Sequence, residues 1–457
     1  MIDTTNLLRI RTPFWRVSCL YKTNINRLKM GLKGRLLDIL LYLSCLLVTN
    51  FGIQLYFSQN HNINNPIVNP TFWLSKDVFL TAFLCLLSFK TLKEKLNFNF
   101  YLVGLLGFLN VLIILIPLVK VGYLHSSYFR TLKNLFVYGF LFSLAFPKLL
   151  DVYGYKKLLN SISYSILVSL FVGLFFFLID IVPSVDKRMY GTYGNPTSMG
   201  FSAIAGLAIR FALDQKITVT FLVYCSITCI AILYSGSLAP TLGLFLLFPV
   251  AYAHIWSIKI FTNEVSNDFK KMGSTLLKLC LLIPSLFMGL ALLSEVFYQS
   301  ELIKRVSCIL GGCKTNFIYR SNSISDRFDQ LQNFQPELNL RSFLWGNNSI
   351  EYTRVDSTLM AFIMAVGILP TLSIIGVFYI TFKNIYTVPG VKQVKLNPHL
   401  IVLASFLWIV LLLNLPLHHQ IEIFPTNIII FCFVFILAYF DSKSNVNLLK
   451  KVESPID

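Results

Sequence analysis

The sequence predicts an all-α, polytopic integral membrane protein, and three observations carry that prediction. Of the 457 residues, 55% are hydrophobic and only 13% are charged, and the mean hydropathy is +0.68. Apolar runs of about 20 residues, the length that a helix needs to cross a bilayer, recur along the chain. The basic residues behind the net charge of +18 fall in short segments between these runs. That placement is typical of cytoplasmic membrane loops, so nucleic acid is excluded as a partner.

The chain begins with a basic tail, residues 1–35, which carries eight Lys/Arg against the single acid Asp3. The tail is too long and too basic for a cleaved signal peptide. We interpret it as cytoplasmic, with part of it lying on the anionic membrane surface. The first span then follows at about 36–56 and enters the membrane from the inside.

The remaining apolar runs bring the number of spans to twelve and place both termini in the cytoplasm. Nine spans fall in 36–297 and three in 355–440, separated by a long outer loop, 298–354, and followed by a cytoplasmic C-terminal tail, 441–457. After the first, the spans lie near 72–89, 100–119, 132–147, 158–182, 196–213, 217–235, 239–257, 275–297, 355–380, 399–417 and 426–440. Inner segments then hold 25 of the 39 Lys/Arg and outer segments hold 13, seven of them in the long loop and its exit. This asymmetry agrees with the positive-inside rule, from which long loops are exempt.

The long loop also contains a candidate disulfide. Cys308 and Cys313 are separated by Ile-Leu-Gly-Gly, and two glycines allow a tight turn. An oxidising compartment favours bridging, so we predict a small structural disulfide, with two free thiols as the alternative.

Motifs of soluble enzymes are missing from the sequence. It contains no GxxxxGK[ST], no HExxH, no GxSxG and no Asp-x-Asp pair, so we expect neither a metal nor a cofactor. Acids that approach membrane depth cluster toward the predicted outer side, where nucleotide sugars are absent. Such groups are candidates for function because burying them unpaired is costly, although helix capping or pairing with Arg explains each of them equally well. They are Asp180, Asp186, Glu295, Asp356 and Glu422.

The first informative motif is Arg188-Met-Tyr-Gly191-Thr-Tyr-Gly194-Asn195-Pro196, which leads into the sixth span. A guanidinium offers a planar fork that suits phosphate, and glycines beside Asn195 let backbone N–H groups approach an anion at a helix start. Pro196 suits the first helical position. An interfacial turn in which Arg188 contacts lipid headgroups is an equally good interpretation.

The second motif lies where the long loop meets the tenth span, at Arg354-Val355-Asp356-Ser357, with Arg327 earlier in the loop. A carboxylate at the outer end of a span is suited to accept a proton from a sugar hydroxyl, and arginines beside it can neutralise a leaving pyrophosphate. Two other interpretations stay open: a solvated loop with incidental ion pairs, and Asp356 as a helix N-cap.

With these motifs the chain resembles the superfamily of O-antigen polymerases (Wzy) and O-antigen ligases (WaaL). The resemblance covers about residues 185–380: the Arg-x-x-Gly-x-x-Gly-Asn-Pro pattern, a Ser/Gly patch two spans later, and a long outer loop that closes about ten residues before Gly367-Ile. It implies a metal-independent, GT-C-like glycosyltransferase in the bacterial inner membrane. The implied substrate is an oligosaccharide repeat unit on undecaprenyl pyrophosphate at the periplasmic face, and the implied partners are membrane lipids and a chain-length regulator.

By position, Arg188 and Arg327 match the arginines of the family that bind pyrophosphate, and Asn195 and Arg354 are assigned to the same group. Ligases typically place His-Asn where this chain has Asp356-Ser357, so the resemblance favours a polymerase with Asp356 as the base. The chain departs from the family at Tyr234-Ser235-Gly-Ser237, where many members show Ser-Arg.

Three residues are assigned to a candidate acceptor pocket: Glu351, His418 and Glu422. His418 and His419 are adjacent, which is a poor arrangement for holding one metal ion from one helix face, so contact with lipid headgroups is the competing interpretation. Two other functions stay in view: a ligase that transfers the glycan to lipid A core, and a flippase for lipid-linked oligosaccharides. A flippase does not need a loop of this length outside.

Overall fold

The computed structural model describes the chain in separate stretches. They are residues 137–179, 189, 192, 196–214, 216–262, 267–297, 340–345, 367–368, 371–372, 375–376, 379, 400–417 and 429–437, with 39, 41–46, 78, 80–89, 107, 111 and 115 nearer the N-terminus. All seven elements with assigned bounds in this part of the chain are α-helices, so the all-α prediction is confirmed there. In chain order they are α1 (Tyr138–Leu178), α2 (Pro196–Asp214), α3 (Val219–Ser235), α4 (Leu238–Thr262), α5 (Asn267–Phe297), α6 (Leu340–Trp345) and α7 (Ile401–Leu417).

Four of the described helical stretches are long and apolar enough to cross a membrane: Val152–Leu178, Pro196–Asp214, Leu238–Ser257 and Lys270–Leu293. They fall on four of the predicted spans. Shorter apolar helices fall on four more: Leu80–Phe89, Tyr138–Leu150, Val219–Ser235 and Ile401–Leu413. The chain is therefore a membrane protein by the length and composition of its helices. The total of twelve spans stays a prediction.

Helix α2 lies at the centre of the bundle and packs against α1, α3, α4 and α7. In the most apolar stretch of α2, 83% of the residues are buried inside the protein, whereas only 28% are buried in the corresponding stretch of α5, at the periphery. The small side chains of α2 allow it to occupy this central position, because small residues let neighbouring helix backbones approach closely. Aromatic rings pack between these helices. The ring centroid of Phe211 in α2 lies 5.8 Å from that of Phe221 in α3 and 5.6 Å from that of Phe248 in α4.

Helix α1 carries two different stripes. Tyr164, Val168, Phe171 and Phe175 recur at helical spacing, and each is at least 42% exposed. An exposed stripe of large apolar side chains is what a lipid-facing helix surface requires. The buried stripe, formed by Leu158, Ile162, Ser165 and Ser169, has the same spacing and faces the protein.

Two helix boundaries differ from the prediction. Residues 148–157, expected to be a loop between two spans, continue α1 and are helical except at Gly154 (φ 71°, ψ 153°), which kinks the helix. Leu149, Leu150 and Leu158 are buried at 3–6% exposure, so packing keeps the segment helical despite its lysines. Helix α5 begins at Asn267, eight residues before the predicted span, because a helix can extend past its apolar core into the polar interface.

Candidate functional site

The candidate site includes the turn between α3 and α4. Gly236 follows α3 in the left-handed conformation (φ 61°, ψ 22°), which glycine adopts without strain. Its N–H donates to the Leu233 carbonyl at 3.3 Å. Ser237 immediately precedes α4, and its carbonyl accepts from the Thr241 N–H at 3.3 Å and from the Thr241 hydroxyl at 2.8 Å. This turn is the Ser/Gly patch Tyr234-Ser235-Gly-Ser237.

The segment before α2 is fixed to two other helices. The Met189 N–H donates to the carbonyl of Tyr234, near the end of α3, at 3.0 Å. The Thr192 N–H donates to the Ser169 hydroxyl of α1 at 3.4 Å, and the two hydroxyls are also hydrogen-bonded to each other. Met189 and Thr192 are 1% and 0% exposed. The backbone is thus held at both residues, in the middle of the arginine motif.

A third contact brings two helix starts together. The hydroxyls of Thr197, in the first turn of α2, and Ser237, at the start of α4, lie 3.0 Å apart. A helix N-terminus carries unpaired N–H groups and roughly half a positive charge. Neither α2 nor α4 has an acidic residue in its first turn to neutralise that charge. The meeting point of the two helices is therefore suited to bind an anion.

The predicted site residues themselves lie outside the described residues, so their positions stay predictions. They are Arg188, Asn195, Arg327, Glu351, Arg354, Asp356, His418 and Glu422, together with the candidate disulfide Cys308–Cys313. Arg188 precedes Met189 in the chain and Asn195 precedes Pro196, so each of them is followed directly by a described residue. Within the predicted long loop the structure describes the short helix α6, where Leu340 is 76% exposed.

A polar cluster that the sequence did not reveal joins three helices at the opposite end of the bundle. The Arg210 guanidinium of α2 forms a bidentate ion pair with Asp214 and also donates to the side-chain oxygen of Asn160 in α1 at 3.2 Å. Thr218 donates to the same carboxylate at 2.9 Å and caps α3 by accepting from the Phe221 N–H at 3.1 Å. Because these groups satisfy one another, the cluster is structural and offers no open binding position.

A second polar contact lies within the candidate spans. His254 of α4 and Ser405 of α7 are hydrogen-bonded, with 3.0 Å between Nδ1 and Oγ. The Ser405 hydroxyl donates its proton to the Ile401 carbonyl at 2.8 Å, so it accepts from His254 and fixes the proton on Nδ1. The Trp408 ring lies 6.4 Å from the imidazole, centroid to centroid. This contact joins α4 to α7.

Sequence reasoning passed over Ser169, which fixes the arginine motif to α1. The signal was the spacing of Ser161, Ser165 and Ser169 in an otherwise apolar helix, since small polar residues at one-turn spacing are typical of helix contacts in membranes. No group of three His, Cys, Asp or Glu within the described stretches could hold a metal ion. Cys225 and Cys229, one turn apart in α3, are buried thiols.

Comparisons of the chain with protein-family profiles, with curated proteins and with solved structures found no match.

Proposed function

We propose that this chain is an O-antigen polymerase that joins oligosaccharide repeat units carried on undecaprenyl pyrophosphate. It has twelve spans, its termini are cytoplasmic, and the reaction takes place at the periplasmic face of the inner membrane, beside loop 298–354. A chain-length regulator and the surrounding lipids are its partners. The resemblance in sequence supplies the substrate class.

One observation carries the proposal. The N-termini of α2 and α4 meet at the Thr197–Ser237 contact, beside a segment fixed at Met189 and Thr192. Arg188 belongs to that segment by sequence. A guanidinium beside two uncompensated helix N-termini would hold a dianionic pyrophosphate with directed N–H groups and with charge. The Ser235 hydroxyl of the Ser/Gly patch donates to the Ile232 carbonyl at 2.7 Å, so the phosphate role of the arginine that many family members carry here must be supplied elsewhere or abandoned.

The reaction follows from these roles. An acceptor sugar hydroxyl attacks the anomeric carbon of the donor, and the bond from that carbon to the pyrophosphate oxygen breaks. Asp356 takes the proton of the attacking hydroxyl. Arg188, Arg327 and Arg354 stabilise the negative charge that develops on the departing undecaprenyl pyrophosphate. Glu351, His418 and Glu422 line the acceptor pocket, and no metal or cofactor takes part.

The test removes the arginine from a strain that depends on this chain for its surface polysaccharide. A charge-assisted hydrogen bond contributes about 1.5–3 kcal/mol, so Arg188→Ala should slow polymerisation by roughly 10- to 150-fold. Gels of the polysaccharide should then show single repeat units instead of a ladder, with the protein level unchanged. Arg188→Lys should rescue poorly, because a point charge does not reproduce a bidentate fork.

Lys156→Ala is the matched control. Lys156 is an exposed cation next to the kink of α1, away from the candidate site, and its loss should leave the ladder intact. Full polymerisation by Arg188→Ala would return Arg188 to lipid-headgroup contact. In the deletion strain, polysaccharide lacking even single units on lipid A core would indicate a ligase, and units stranded in the cytoplasm would indicate a flippase.

A further inference from the structure

A cavity of about 70 Å³ lies in the angle of the kinked helix α1. Its wall comes from both halves of that helix and from the segments 41–46, 80–89 and 429–437. The kink is fixed by Gly154, whose φ of 71° strains any residue with a side chain. The two halves of α1 diverge at this residue, and the neighbouring helices fill the space between them incompletely.

The wall of the cavity offers little to water. Leu and Phe side chains make up most of it. Two hydroxyls line it, Ser44 and Ser165, and Ser165 already donates to the Ile162 carbonyl at 2.9 Å. A buried water needs two to four polar partners, so the cavity takes an apolar occupant. Within a bilayer the apolar molecules at hand are hydrocarbon chains.

The size of the cavity limits what it takes. One water occupies roughly 10–15 Å³ by the same measure, so the cavity holds about five to seven groups of that size. That is a short run of chain carbons and not a whole lipid. A hydrocarbon chain that enters the cavity from the bilayer leaves one apolar medium for another. Its binding free energy therefore comes from van der Waals contacts that fill the void and not from the hydrophobic effect.

The position of the cavity points to the chain that fills it. Leu158, Ile162 and Ser165 line it and lie on the buried stripe of α1, and Ser169, the next residue of that stripe, is bonded to Thr192 of the arginine motif. At 1.5 Å per residue the cavity runs from about 6 Å to about 17 Å along α1 from Ser169. A hydrocarbon chain attached to a phosphate group at the arginine motif would reach it directly.

We propose that this cavity binds a segment of the polyprenyl chain of the lipid-linked substrate. The identity of the chain rests on the proposed function, whereas the cavity and its apolar wall do not. A phospholipid acyl chain would meet the same wall equally well, so the two sources must be separated by experiment.

Two thiols in the wall, Cys45 and Cys432, serve as reporters. The purified full-length chain in detergent micelles is treated with N-ethylmaleimide, and modification is followed at each cysteine by peptide mass spectrometry. With undecaprenyl phosphate at about ten times its Kd, labelling of both thiols should slow by about tenfold, because only the unoccupied fraction reacts. Cys280 of α5, which does not line the cavity, should label at an unchanged rate.

A cavity-filling substitution supplies a second measurement. Ala145 lines the cavity, and Ala145→Leu should weaken binding of undecaprenyl phosphate by about tenfold in native mass spectrometry, because the added carbons displace the chain. Ala253→Leu, at an exposed position of α4, is the matched control and should bind as the parent does.

Equal affinity of the parent and Ala145→Leu would overturn the proposal. So would unchanged labelling of Cys45 and Cys432, or equal protection by added phospholipid, which would assign the cavity to acyl chains. Neither measurement requires turnover. Protection of the two thiols without polymerisation in cells would therefore support binding of the chain in the cavity and refute the proposed polymerase. Polymerisation without protection would support the polymerase and refute binding in the cavity.

Discussion

Gly200→Ala tests the close approach of the two helix starts on which the candidate site depends. A Cβ atom at Gly200 of α2 would lie 2.5 Å from Cβ and 2.7 Å from Cγ of Pro240 in α4. Carbon atoms pack at about 3.5 Å or more, so the two helices must separate by about 1 Å. A proline ring cannot rotate away as a flexible side chain would. The shift would also lengthen the 3.0 Å contact between Thr197 and Ser237.

The magnitude follows from three contributions. Overpacking costs about 1–3 kcal/mol, and the weakened hydroxyl contact costs about 0.5–1.5 kcal/mol. Replacing Gly by Ala within a helix returns about 0.5–1 kcal/mol. The net loss is therefore about 2 kcal/mol, which should lower the unfolding temperature of the detergent-purified chain by about 2 °C in circular dichroism.

Gly289→Ala in α5 is the matched control, because a Cβ atom there meets nothing within 4 Å. It should leave the unfolding temperature unchanged or slightly raised. In a Pro240→Gly background, Gly200→Ala should lose most of its cost, since the clashing ring is gone. Equal unfolding temperatures for Gly200→Ala and Gly289→Ala would refute the close approach and, with it, the shared anion site.

Two further predictions concern parts of the chain outside the described residues. A reporter that is active only outside the cytoplasm should be active when fused near Asn339 and silent when fused near Lys392, and the opposite pattern would reverse the proposed orientation. Thiol labelling of Cys308 and Cys313 in the folded protein should require a reductant, and labelling without one would count against the disulfide.

The helices were predictable from the sequence because membrane spans are set by length and apolarity. Their ends were less predictable. Lys148, Lys156 and Lys157 suggested a cytoplasmic loop, yet the leucines between and after them are buried in the bundle and keep the backbone helical. One glycine then changes the direction of the chain where a loop was expected.

Charge patterning predicts an orientation of the chain but not the partners of individual charges. Arg210 counted toward the cytoplasmic excess of positive charge, whereas its guanidinium is paired with Asp214 one turn away and with Asn160 of another helix. A basic residue that is neutralised within the protein contributes less to the attraction toward anionic lipid. The pair with Asp214 has the i,i+4 spacing of a helix and is visible in the sequence, whereas the contact with Asn160 depends on tertiary packing.

The arginine motif shows the same limit at the candidate site. Its glycines and Asn195 suggested an anion-binding helix start, and α2 does begin at Pro196. The contacts that fix the motif join Thr192 to Ser169 and Met189 to Tyr234. The one-turn spacing of Ser161, Ser165 and Ser169 indicates a helix contact, but it does not identify Thr192 as the partner. The second helix start, α4, was identified as a span without any indication that it lies against the first.

The choice between polymerase and ligase depends on Asp356, which has two competing roles. A carboxylate that removes a proton from the acceptor hydroxyl contributes about 10²–10⁴-fold to the rate. At a helix start the same carboxylate would also cap unpaired N–H groups. Asp356→Asn separates these roles, because Asn caps a helix about as well but cannot accept the proton.

If Asp356 is the base, the Asn variant should be present at the parent's level and yield only single repeat units on polysaccharide gels. Glu351→Gln and Glu422→Gln, each removing one carboxylate from the proposed acceptor pocket, should slow polymerisation without abolishing the ladder. A ladder from Asp356→Asn close to that of the parent would make Asp356 a cap. The base would then be whichever of the two glutamates abolishes the ladder when it is replaced, and the argument from Asp356-Ser357 for a polymerase over a ligase would fall.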